Sequence, residues 1–126
     1  MVSVEPNNYL RRLALDRAGA VSVPIRVVAG VAESFPSDDG TFDAVVASLV
    51  LCSVREQAVV LAELRRVLRP GGELRCYEHV IDESRSGARV QRSVDLVWPA
   101  LFGGCHTDRD TVAAMVRSGF ELQSWE

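Results

Sequence analysis

Val4-Glu5-Pro6-Asn7 is the stretch on which the fold reading turns. It reads as the end of a buried strand that carries an acid at its tip. In doubly wound α/β sheets an acid at the tip of the second strand holds ribose hydroxyls, and the strand and glycine loop that complete the cleft lie about 20 residues earlier. Only four residues precede Glu5. The expectation is a nucleotide-binding sheet read from its second strand onward.

The length of 126 residues allows one ordinary domain, and 48% apolar with 25% charged residues is a globular mixture. A net charge of −3, with arginines scattered among acids, supplies no attraction for a polyanion, so nucleic acid is not expected as a partner. Cys52, Cys76 and Cys105 are odd in number and spaced too widely for a CxxC pair. Neither a disulfide framework nor a metal ribbon is expected, and a reducing cytoplasm fits. No apolar run reaches a membrane span, and no basic head with an apolar core marks a secretory signal. Residues 94–102 form the most hydrophobic late stretch, read as buried or substrate-facing, with peripheral membrane contact the minor alternative.

From residue 7 to 18, Leu10, Leu13, Ala14 and Ala18 share one helical face, and Gly19 stops the helix. Residues 25–29 read as a parallel strand covered on both faces, ended by Gly30. Turn chemistry at residues 36–40 places residues 31–41 in a loop. A buried strand starts at Phe42 and runs through Ser48 and Leu49 toward Cys52. Ser53 with Glu56 reads as a capping box for a helix carrying Val60, Leu61, Leu64, Val67 and Leu68, closed by Pro70-Gly71-Gly72. Residues 74–80 read as a fourth strand with Glu78 and His79 at its far end. A helix over residues 89–98 ends at Pro99, Thr107 with Asp110 caps a last helix stopped by Gly119, and residues 120–125 read as a strand.

This alternation predicts a Rossmann-like parallel sheet with helices on both faces. Strand polarity then gathers Glu5, the loop after Ala29, Ser48 to Cys52, and Glu78-His79 at the carboxyl edge, where such folds bind ligands.

At these residues the chain resembles the class I S-adenosylmethionine-dependent methyltransferases of the type 11 group. Gly30-Val31-Ala32-Glu33-Ser34-Phe35-Pro36, Phe42-Asp43-Ala44-Val45-Val46 and Leu64-Arg65-Arg66-Val67-Leu68-Arg69-Pro70-Gly71-Gly72 stand in the family's order and spacing. More narrowly, Leu49-Val50-Leu51-Cys52-Ser53-Val54, Tyr77-Glu78-His79-Val80 and Gly104-Cys105-His106 resemble the methyltransferase-like thiol methyltransferases, with phospholipid and quinone methyltransferases also close. The resemblance implies S-adenosylmethionine as cofactor and a small lipophilic acceptor, possibly a thiol in the complete protein. It makes Glu5 the ribose-hydroxyl acceptor, with Pro6 and Asn7 beside it, Val31 and Ala32 bracketing the adenine, and Ser48 and Leu49 at a further cofactor contact. Glu78, His79 and His106 are the candidates for acid–base roles, each with a structural alternative: His79 could accept a thiol proton or orient a loop. Neither histidine forms metal-ligand spacing with the cysteines in the sequence, so no metal is expected.

The family sheet runs 3-2-1-4-5, and the chain reads as strands two to five without the central first strand and its glycine loop. The expectation is one methyltransferase domain over residues 1–126, truncated at both ends and inactive alone. Two other readings stay open: a noncatalytic, partner-binding remnant that borrows the missing strand from another chain in an oligomer, and an NAD-type dehydrogenase half-domain.

Overall fold

The computed structural model describes residues 1–124 and contains four parallel-paired strands and five helices. Strand β1 (Val2–Val4) pairs with β2 (Arg26–Val28), and β3 (Phe42–Ser48) pairs with β4 (Leu68–Tyr77). Both ladders are parallel, and each is a separate two-stranded sheet: among the described residues no ladder joins β1 to β3. These pairings match the two outer pairs of the expected sheet order, three with two and four with five.

Helix α1 (Asn8–Ala18) forms where expected, its first turn capped by the Asn7 side chain, which accepts from the amides of Tyr9 and Leu10. Its apolar face is not buried, however. Leu10 and Leu13 stand exposed, because α1 packs on β2 and on little else among the described residues. Strand β2 is only partly covered, with Arg26 exposed and Val27 and Val28 half-buried, in contrast to the two-sided burial expected of it.

The core lies on β3–β4. Helix α2 (Gln57–Val67) buries Val60, Leu61, Leu64 and Val67 against Val45, Ala47 and Leu68, and α5 (Thr111–Arg117) adds Ala114 and Met115. Strand β3 was expected to be buried, but it alternates: Val45 and Ala47 point into the core while Val46 is 71% exposed. A strand with helices on one face shows this period of two.

Several boundaries shift for identifiable reasons. Ser53 does not cap α2, since its hydroxyl donates to the Leu49 carbonyl and Glu56 takes the N-cap position without a side-chain bond. Leu68 leaves the helix for β4, and Pro70-Gly71-Gly72 belongs to that strand as an irregularity, where Phe42 pairs with Leu68 but Ala44 pairs with Glu73. Helix α3 (Arg85–Val94) starts earlier than expected, because Ser84 accepts from the Gly87 amide as its cap. Pro99 does not end a helix; it sits in the first turn of the short α4 (Trp98–Leu101), where a missing N–H costs nothing. Asp110, not Thr107, caps α5 by accepting from Ala113, and Gly119 follows as its stop. Residues 120–124 form no strand, and the last part of the strand expected there lies outside the described residues. Leu96 and Leu101 in the 94–102 stretch are exposed, so burial does not account for that stretch.

The residues between the ladders are tied by Arg66. Its guanidinium pairs with Glu63 at 2.7 Å and donates to the carbonyls of Phe35 and Ser37, while Glu63 accepts from the Phe35 amide. Ala32 and Phe35 pack against the core from this loop. One half-buried arginine thus fixes the connection that follows β2 onto the helix that covers β3–β4.

Candidate cofactor and acceptor site

Glu5 leaves the carboxyl end of β1, its amide donating to the Val28 carbonyl at 3.1 Å. This places it beside the carboxyl end of β2. Gly30 lies close by: a Cβ there would stand 2.9 Å from Val4 Cγ1 and 3.3 Å from Pro36, so only glycine lets the chain turn against β1. The Glu5 carboxylate accepts from the Asn7 amide through Oε1 at 2.8 Å, which orders the entry to α1. Among the described residues Oε2 has no protein partner in a hydrogen bond. Pro6 and Asn7 are exposed beside it, and Val31 is exposed while Ala32 tucks against the core. Glu5, Gly30 and the loop carrying Val31 and Ala32 therefore share one end of the first ladder.

Ser48 and Leu49 occupy the matching end of the second ladder. Ser48 is paired with Tyr77, and the Leu49 amide donates to the Tyr77 carbonyl at 2.8 Å. Leu49 has a φ of 53°, a left-handed conformation that costs a branched residue roughly 1–2 kcal/mol. Strain of this kind persists only where the surroundings enforce it. Here the enforcement is Glu78: its carboxylate accepts from the amides of Val50 and Leu51 through Oε1 (2.9 and 3.0 Å) and of Cys52 through Oε2 (3.0 Å). Three consecutive N–H groups converge on one carboxylate, so the chain must turn sharply after β3.

The same turn is held from its far side. Gln57 donates to the Leu51 carbonyl and to Thr111, Arg109 donates to the carbonyls of Leu51 and Val54, and the His106 amide donates to the Cys52 carbonyl at 2.8 Å. Leu51 and Cys52 are fully buried.

This wiring decides what the candidate acid–base groups do. Glu78 spends its lone pairs on the three amides, which makes it a positioning residue. His79 sits next along the chain, with Nδ1 3.1 Å from Cys105 Sγ and its ring edge-on to Trp98. Cys105 Sγ is in turn 3.1 Å from Cys52 Sγ. Gly103 and Gly104, both with positive φ, form the turn that brings Cys105 under Cys52. Burial, reinforced by the contact with Cys105, pushes the Cys52 thiol up to about 12, so it stays protonated at neutral pH.

His106 belongs to a different group. Its Nδ1 is 2.6 Å from Asp95 Oδ2, while Asp95 Oδ1 accepts from the Thr107 amide at 2.6 Å. Burial works against the Asp95 charge, but the bonds from His106 and Thr107 outweigh it and hold the carboxyl below the usual carboxylate range. The arrangement anchors α3 to the segment ahead of α5.

Glu5, Ser48 and Leu49 stand at or just past strand ends and Ala32 lies in the loop after β2, as expected from the sequence, which gave no sign of the Glu78 clamp or the Cys52–His79–Cys105 group. The signal for the clamp is faint: an acid just after one strand and an unpaired run of amides just after its neighbour. The thiol pair has none, since its members are 53 residues apart.

A family profile described as a methyltransferase domain matches residues 1–76. Human thiol S-methyltransferase TMT1A is 43% identical over 83 residues, 65% of this chain and 34% of that protein. Rat thiol S-methyltransferase TMT1B is 45% identical over 91 residues, 70% of this chain and 37% of that protein. The chain thus spans about a third of the length of these curated relatives. Among solved structures, a SAM-dependent methyltransferase from Thermotoga maritima superposes with a TM-score of 0.73 at 25% identity, covering 94% of this chain and 54% of that one. The [4+2]-cyclase SpnF superposes with a TM-score of 0.78 at 26% identity, covering 99% and 43%.

Replacing Glu78 by Gln leaves one acceptor for three amides and turns an NH₂ toward the others; unfolding free energy falls by about 1–3 kcal/mol, and the amides of Val50, Leu51 and Cys52 exchange faster by hydrogen–deuterium exchange. Asp95, with its folded-state pKa depressed, contributes stability above the ordinary carboxylate pKa of about 3.9, and this is lost as pH falls through the lower folded value. Urea midpoints measured from pH 6 to pH 2 should therefore fall less steeply at the acid end for Asp95→Asn than for the parent.

Proposed function

The chain belongs to the methyltransferase-domain family, and from that premise we propose that the protein transfers a methyl group from S-adenosylmethionine to the sulfur of a small lipophilic thiol. The observation that carries the reading is the likeness to the thiol S-methyltransferases at 43–45% identity, together with a Glu5 carboxylate oxygen left unengaged at the carboxyl end of β1. The residues suit the cofactor. Glu5 has the acceptor that a ribose diol requires, and Ser48 and Leu49 stand at the carboxyl end of β3, the kind of edge at which such sheets bind ligands.

When bound, S-adenosylmethionine supplies an electrophilic methyl on a sulfonium. The chain's residues are asked to align and to exclude water, and alignment alone supplies a large part of such a rate. Glu5 would hold the ribose, Val31 and Ala32 would flank the adenine, and Ser48 and Leu49 would close the floor. Glu78 fixes the turn that carries Leu49 and so acts on the reaction through geometry. An acceptor thiol with a pKa near about 8.5 is already partly ionised at neutral pH, so the reading requires no dedicated base. In the isolated 126-residue chain the cofactor affinity is weak on this reading, because the two ladders that carry Glu5 and Leu49 share no hydrogen-bonded strand among the described residues.

The test is kinetic. Protein expressed from its native gene, given S-adenosylmethionine and a lipophilic thiol, yields thioether and S-adenosylhomocysteine in equal amounts by mass spectrometry. Glu5→Gln keeps an acceptor for the Asn7 amide but removes the charge, and raises the KM for S-adenosylmethionine about tenfold or more with kcat little changed. Methylation of amines but not thiols, or an unaltered KM in Glu5→Gln, contradicts the assignment.

A further inference from the structure

Cys52 follows β3, His79 follows β4, and Cys105 follows the glycine turn after α4. These three distant positions converge on one point: the two sulfurs are 3.1 Å apart, His79 Nδ1 is 3.1 Å from Cys105 Sγ, and all three ligand atoms lie within 4.8 Å of one another. We propose that Cys52, His79 and Cys105 form a three-ligand site for a thiophilic divalent cation of the zinc class.

The donor set selects the metal. Two sulfurs and an imidazole suit zinc and exclude calcium and magnesium, which take oxygen ligands. The nearest carboxylate, Glu78, is engaged by three backbone amides and stays out of the set. Zinc bonds of about 2.3 Å to sulfur and about 2.0–2.1 Å to nitrogen place tetrahedral ligand atoms roughly 3.4–3.8 Å apart, so the sulfurs need to separate by under an ångström. Both cysteines are buried and their backbones fixed, Cys52 through the Glu78 bond to its amide and the His106 bond to its carbonyl. The supports of the site are in place before any ion arrives.

A second feature points to a bound group. Trp98, whose ring meets His79 edge-on with centroids 6.3 Å apart, has a buried Nε1 with no hydrogen-bond partner among the described residues. Buried indole N–H groups ordinarily find an acceptor. A ligand in the fourth coordination position would supply one next to the histidine.

Binding is a proton exchange: Zn²⁺ plus two cysteine thiols and a neutral imidazole gives the bis-thiolate imidazole complex and two protons, with no change in oxidation state. Three protein ligands leave one position for water or another small ligand, as in open zinc sites. The site does not depend on methyl transfer, and its test uses no S-adenosylmethionine.

Titration of the reduced 126-residue chain with Co²⁺ should produce a thiolate-to-cobalt charge-transfer band at one equivalent, abolished by Zn²⁺. Chelator competition should give Zn²⁺ affinity reduced about tenfold or more in Cys52→Ala, Cys105→Ala and His79→Gln, with Cys76→Ser unchanged. His79→Gln keeps both sulfurs and alters an outlying ring, so it reports on coordination even where a cysteine variant fails to fold; its cobalt band persists at weaker affinity. Absence of a charge-transfer band in the folded, reduced chain overturns the proposal, as does a band insensitive to all three variants. A Cys52–Cys105 disulfide that, once reduced, yields a protein without Co²⁺ uptake overturns it also.

Discussion

One carboxylate organises the second half of this molecule. Glu78 accepts the amides of Val50, Leu51 and Cys52, and a chain leaving a strand with three consecutive N–H groups drawn to a single point must turn hard. The left-handed Leu49 is the backbone consequence, and the burial of Leu51 in the core is the packing consequence. Buried backbone donors are costly to leave unpaired, so the carboxylate does for this turn what a further strand would do for a ladder. Everything proposed for Ser48, Leu49, Cys52 and His79 presupposes that clamp.

The arrangement explains why the catalytic candidates divide as they do. The Glu78 carboxylate is occupied by three backbone amides, and His106 Nδ1 is held by Asp95. His79 faces a thiol, not open solvent alone. The displacement expected at a sulfonium needs no strong base, so a site whose polar groups are mostly spent on geometry is consistent with the chemistry. The fold itself hosts other reactions, as the superposition on a [4+2]-cyclase illustrates.

Much of the fold was legible because α2 has an uninterrupted apolar stripe and the strands have β-branched runs. What escaped was what local pattern does not encode. The capping box at Ser53 failed because Ser53 is drawn back to the Leu49 carbonyl by the turn that Glu78 imposes. The helix over residues 89–98 was displaced because Ser84 offers an earlier cap and Pro99 tolerates a first turn. Two-sided burial of β2 and burial of β3 were inferred from apolar content, whereas exposure depends on which elements lie against them. At the site, Glu5 and Leu49 could be placed by strand polarity alone. The convergence of Cys52 with Cys105 required the path of the whole chain.

The central claim is that the carboxyl ends of the two ladders make up an adenosyl-binding rim. Chemical-shift mapping of the ¹⁵N-labelled chain with millimolar S-adenosylhomocysteine tests it directly, since even weak binding moves resonances. The account predicts that the amides of Glu5, Ala32, Ser48 and Leu49 shift together along one saturation curve; shifts confined to residues 81–92, with those four unmoved, would contradict it.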